Sequence, residues 1–81
     1  MRFHLSTKAQ GEYEALTVPL RAVFQKQITF LVRDIRHPSL HAKRYDEKAE
    51  LWQARMNRSW RFYFLIHKDI YYVVSIRKHP K

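Results

Sequence analysis

Apolar residues along the chain change period several times, and each change marks an element. "MRFHL" alternates, which puts Phe3 and Leu5 on one face of a short strand. Ser6 or Thr7 then caps a helix, with Thr7 and Gln10 fitting a capping box, and Ala9, Tyr13 and Leu16 form its apolar stripe. "TVP" ends that helix, and Pro19 suits the first turn of the next. Leu20, Val23, Phe24, Ile28, Leu31 and Ile35 recur at three- and four-residue steps, the mark of a longer amphipathic helix. His37-Pro38 closes it, because proline disfavours helical geometry in the residue before it. The two helices make a hairpin.

Residues 39–50, "SLHAKRYDEKAE", hold no clean period and read as a basic loop, at most with one helical turn, pinned by Leu40 and Tyr45. Three alternating runs follow, at about 51–57, 60–67 and 70–77, joined by turns at "NRS" and "KD". The order β-α-α-β-β-β predicts an α+β fold: an antiparallel sheet with a helical hairpin packed on one face. A chain of 81 residues is expected to form one domain, 1–81.

Alternation then separates the two faces of the sheet. Trp52, Phe62, Phe64, Ile66, Val74 and Ile76 belong to the large apolar sets and are expected beneath the helices. Arg55, Arg61 and Arg77 then emerge together on the opposite, open face, with Tyr63 and Ser75 between them. A slip of one residue would invert each assignment.

Charge makes that face the centre of attention. Sixteen Lys and Arg stand against seven Asp and Glu, for a net +9, and residues 51–81 hold seven basic residues and one acid. A polyanionic partner is the natural inference. Arginine suits phosphate because its planar fork binds two oxygens at once and stays charged. The plainer reading is that each arginine reaches to water or pairs with Asp46, Glu47 or Glu50.

Composition excludes several chemistries. The apolar fraction of 46%, with 15% aromatic, argues against disorder. Cysteine is absent, so disulfides, thiolate zinc sites and a cysteine nucleophile are ruled out, and a single glycine, Gly11, leaves no glycine-rich phosphate loop. His37 and His41 lie four apart, but Pro38 separates them and no third ligand is near, so no metal site is expected. His4, His67, Trp52 and Trp60 read as ordinary strand or core residues, whereas Tyr63 and Tyr71 are candidates for stacking on unpaired bases. The first residues turn polar after five positions and no apolar run nears the ~18 residues of a membrane span, so a cytoplasmic protein is expected.

Three segments in order, "HPSLHAKRY" after the second helix, "LWQARMNRSWRFYFLI" over the hairpin and "VVSIRKHPK" at the end, resemble the RelE/ParE superfamily of toxin–antitoxin toxins. The likeness spans nearly the whole chain and is strongest to the ribosome-dependent ribonucleases of the RelE and YoeB branch. It implies a toxin that cleaves messenger RNA on the ribosome by attack of a 2′-hydroxyl on the neighbouring phosphate, without metal or cofactor. It also implies a cognate antitoxin as partner. Arg61 matches the arginine that holds the scissile phosphate, and Arg55 matches a basic position on the strand before it. Lys43 matches a lysine of the loop after the helices. His79 falls where YoeB-like toxins carry a catalytic C-terminal histidine. The resemblance therefore implies Arg61, His79 and Arg55 as the catalytic set. Lys43, Arg44, Arg58, Tyr63, Arg77 and Lys78 are the expected RNA contacts. Two departures stand out: Pro80 follows His79 where YoeB-like members have tyrosine, and no carboxylate aligns with the loop glutamate they use as a base. The alternatives are a ParE-like toxin that binds DNA gyrase without catalysis, and an inactive binding module of the same fold. Arg61 with His79 favours the nuclease; the missing tyrosine favours the ParE-like reading.

Overall fold

In a computed structural model, which describes residues 1–79, the chain orders as β1 (Arg2–Leu5), α1 (Thr7–Ala15), α2 (Val18–Arg33), a 3-10 turn (Pro38–Leu40), β2 (Lys43–Asp46), β3 (Leu51–Arg55), β4 (Trp60–His67) and β5 (Ile70–Lys78). The strands form one sheet in the order β1-β5-β4-β3-β2. The α+β class and the helical hairpin on one face are as the periodicity predicts. Two details differ. β1 pairs with β5 in parallel, so the sheet is mixed, and the basic loop after the helices contains a further strand, β2, at its far edge.

Local chemistry sets the helix limits. Ser6 caps α1, its hydroxyl accepting from the Ala9 N–H at 3.0 Å, so the predicted Thr7–Gln10 box does not form. Thr17 caps α2 in the same way, with Pro19 in the first turn. α2 ends at Arg33, earlier than His37-Pro38 would require: Asp34 turns the chain out and its carboxylate accepts from the Arg36 N–H at 2.9 Å.

The core lies between the helices and one face of the sheet. Phe24 and Leu31 of α2, Leu40, and Phe62, Phe64 and Val73 of the sheet are fully buried, with the Phe24 and Phe62 rings edge to face at 5.2 Å. Leu40 thus anchors the post-helix segment as predicted, but Tyr45 does not, being 54% exposed on the other face.

A β-bulge corrects the parity of β5. Tyr63 pairs with Ser75, yet Phe64 pairs with Val73, so Val74 is an extra residue on β5. Val73 and Tyr71, not Val74, therefore enter the core. The proposed role of Tyr71 as an open stacking ring fails for the same reason: its ring packs edge to face on Phe64 at 5.5 Å, and burial, with Asp34 nearby, pushes its hydroxyl pKa up. Ile66, also predicted beneath the helices, is exposed near the end of β4.

α1 has a second task. β1 ends at Leu5, which would leave the rest of β5 without a neighbour on that side. α1 runs beside it: the Ser6 N–H donates to the Val73 carbonyl, the Ser6 hydroxyl to the Val74 carbonyl, and Glu12 accepts from the Ile76 N–H at 2.9 Å and the Ser75 hydroxyl at 3.2 Å. These bonds satisfy backbone groups of a sheet edge that no strand covers.

Candidate functional site

Arg55 of β3 lies directly opposite Arg61 of β4, and Arg61 directly opposite Arg77 of β5. The three arginines form a row across three adjacent strands on the face away from the helices, as alternation predicted. Like charges directly opposite one another destabilise a sheet. The plainer reading, in which acids offset them, does not hold here: among the described residues the only ion pair is Arg2 with Asp69 at 3.8 Å.

Each arginine is held differently. Nη1 of Arg61 donates to the carbonyls of Asn57 at 2.7 Å and Trp60 at 3.0 Å, so the β3–β4 turn grips the guanidinium from one side. That turn is itself built by the Asn57 side chain, which accepts from the N–H groups of Ser59 and Trp60. Partial burial, and after it the charge of Arg55, press the Arg61 pKa below its ordinary value, with Tyr63 acting in the opposite sense. Arg55 contacts His41 Nε2 through Nη1 at 3.5 Å, while its Nε is buried without a hydrogen-bond partner. An unpaired buried donor costs about 1–3 kcal/mol, so Arg55 is a group in want of an acceptor. Arg77 stacks over the ring of Tyr63, its Cζ 4.2 Å from the centroid.

A pocket of about 370 Å³ opens at the Arg55–Arg61 end of this row. His41, Ala42, Lys43, Gln53, Arg55, Arg61 and His79 line it. Five elements meet here: the 3-10 turn leads into His41, β2 begins at Lys43, β3 and β4 supply the arginines, and the residue after β5 supplies His79. The His79 N–H donates to the Ser59 carbonyl at 2.6 Å, which ties the chain end to the same turn that grips Arg61. Gln27, buried in α2, fixes the opposite wall: its amide donates to the Arg55 carbonyl at 2.9 Å and the Ser39 carbonyl at 3.2 Å.

Of the residues singled out from sequence, the pocket gathers Arg55, Arg61, His79 and Lys43. It does not gather the others. Tyr63 is 4% exposed, with Arg77 on its face and the edge of Tyr45 at 5.0 Å, so its ring is covered. Tyr45, half exposed, is an aromatic that this face offers to solvent near the pocket. Arg44 alternates with Lys43 and turns to the helix side, over Trp52 at 5.4 Å. Lys78 pairs with Trp60 and alternates with Arg77, so it too leaves the open face. Arg58 sits exposed at the tip of the β3–β4 turn. Sequence reasoning missed His41 and Gln53 as pocket residues. Gln53 was legible from parity, since it shares a face with Arg55; His41 lies outside any periodic segment. Among the described residues no cluster of His, Asp and Glu has the arrangement of a metal site. His37 instead caps the 3-10 turn, Nδ1 accepting from the Ser39 N–H, with its ring stacked on Phe30.

No model of a protein family matches the chain, and no curated protein matches it in sequence. Solved structures do match in shape. A YoeB/ParE toxin from Agrobacterium tumefaciens superposes with a TM-score of 0.82 at 15% identity, over 99% of this chain and all of the other. The isolated RelE toxin of E. coli gives 0.75 at 16% identity, over 98% of this chain and 84% of its own. A chain of a heterotetrameric YoeB–YefM toxin–antitoxin complex from Staphylococcus aureus gives 0.78 at 11% identity, over 96% of this chain and 95% of that one. The chain has the fold of the RelE/ParE toxin superfamily.

Proposed function

We propose that this protein is the toxin of a toxin–antitoxin system and an endoribonuclease that cuts messenger RNA on the ribosome, in the cytoplasm. The observation that carries this reading is the Arg55–Arg61 pair: two opposed cations with no carboxylate partner among the described residues, at the mouth of a pocket that also holds Lys43 and His79. A phosphodiester fits this site, because its oxygens accept from both guanidinium forks and its charge relieves their mutual repulsion. Arg61 and Arg55 stabilise the extra negative charge that develops when a 2′-hydroxyl attacks phosphorus, and His79 takes part in proton transfer. No metal enters this scheme. Lys43 and Arg77 extend the positive surface along the backbone, and Tyr45 is placed to stack on a base.

A cognate antitoxin is part of this reading, supported by likeness of fold to a chain of the YoeB–YefM toxin–antitoxin complex. Its chemistry is that of an acidic segment able to cover the arginine row. Primer extension on messages after induced expression tests the reading. Discrete cuts within translated regions are expected. Intact messages together with stalled DNA gyrase would replace this proposal with a non-enzymatic, ParE-like one.

A further inference from the structure

Resting on that reading, we infer that His41 is the general base of the cleavage and that it works as a pair with His79. Transfer of a proton off the 2′-hydroxyl and onto the leaving oxygen needs two groups, and among the described residues no carboxylate lines the pocket. It does contain two imidazoles, His41 from the end of the 3-10 turn and His79 from the residue after β5, with Arg55 and Arg61 as the other charged groups on its strand floor and Lys43 beside His41. Imidazole is the side chain that ordinarily exchanges protons near neutral pH.

Three observations assign the base to His41. A guanidinium only donates hydrogen bonds, so Arg55 Nη1, 3.5 Å from His41 Nε2, favours the tautomer in which Nε2 is the acceptor, the form a base requires. Arg55 also carries the unpartnered buried Nε, so a phosphate that draws its fork away frees Nε2 beside the bound phosphate. Finally, the His41 backbone is left-handed, at φ 46° and ψ 42°, a conformation that costs a non-glycine residue about 1–2 kcal/mol. Such strain persists where the surrounding structure imposes it, and here it turns the side chain into the pocket.

The step balances without a co-reactant. The 2′-O–H proton passes to His41 Nε2 as the 2′-oxygen bonds to phosphorus. The P–O5′ bond breaks, and O5′ takes a proton from the His79 imidazolium. The products are a 2′,3′-cyclic phosphate and a 5′-hydroxyl, and solvent returns each histidine to its starting form.

Single-turnover cleavage on a programmed ribosome, followed across pH, tests the pair. The wild-type rate should fall on both the acid and the alkaline side. His41→Gln keeps an acceptor for Arg55, so occupancy should hold while the rate drops by about 10²-fold or more and the acid-side fall disappears. His79→Gln should remove the alkaline-side fall instead. His41→Gly accepts the left-handed backbone without strain and should regain rate when imidazole is added. Wild-type cleavage with His41→Gln equally fast and still falling at acid pH overturns the pair alone. RNA left whole by the wild-type protein overturns the nuclease reading, and the pair with it.

Discussion

The side-chain amide of Gln27, in the middle of α2, donates to the backbone carbonyl of Arg55 at the end of β3, across 2.9 Å. The same nitrogen reaches the Ser39 carbonyl. One buried amide therefore joins the helix layer, the 3-10 turn that presents His41, and the strand that presents Arg55. Replacing it with leucine preserves volume but strands two carbonyls. Gln27→Leu should lose about 1–3 kcal/mol for each carbonyl left unpaired. In thermal melts this should appear as a fall in Tm of about 4–8 °C per kcal/mol for a domain of this size. An unchanged melt would mean that the amide holds nothing in place.

Arg61 separates charge from geometry. Arg61→Lys keeps the cation but loses the fork that the carbonyls of Asn57 and Trp60 orient. Ribosome occupancy should stay near wild type while the single-turnover cleavage rate falls by about 10²–10³-fold, the usual loss for one oxyanion donor. Parallel losses in occupancy and rate would make Arg61 a binding residue only.

Salt dependence distinguishes the two faces of the sheet. Affinity for RNA or ribosomes should decline linearly on a log–log plot against salt, by a slope of about 0.9 or less per phosphate neutralised. Lys43→Gln lies in the pocket and should flatten that slope by about one contact. Arg44→Gln, on the Trp52 side, should leave it unchanged. Equal effects from the two would mean that the helix side also meets the polyanion.

The bulge in β5 is testable by a pair of neighbours. Val73 is fully buried and Val74 only partly so. Val73→Ala should cost about 2 kcal/mol in urea unfolding, the value of a buried branched side chain with its cavity. Val74→Thr should stay below about 1 kcal/mol. The reverse order would restore unbroken alternation.

Much of this architecture was legible because it rests on periodicity. The stripes of α1 and α2 and the shared face of Arg55, Arg61 and Arg77 all follow from counting in threes, fours or twos, and Leu40 stood out as an apolar residue in a polar stretch. What stayed hidden depends on single irregularities. β2 has four residues, all exposed, and one of them lies at a register shift, so no apolar alternation announces it. Val74 looks no different from Val73 in a run of β-branched residues, and only pairing with β4 shows which is extra. His41 gains its position from a left-handed turn, and Tyr63 loses its openness to an arginine fourteen residues on; neither is a property of local sequence.

Of the features described above, the bulge at Val74 reaches furthest. Tyr71 and Val73 lie under the helices, and so does Ile76, three positions after Val73 rather than an even number. That odd step is what sends Ser75 to Glu12 and Arg77 to Tyr63. The address of Arg77 is thus a matter of arithmetic along the strand. The same sequence paired with β4 in unbroken alternation, Val74 included, would keep every arginine, every aromatic and its net charge. It would nonetheless turn the third cation of the row inward, or else forfeit two core residues to keep it outside.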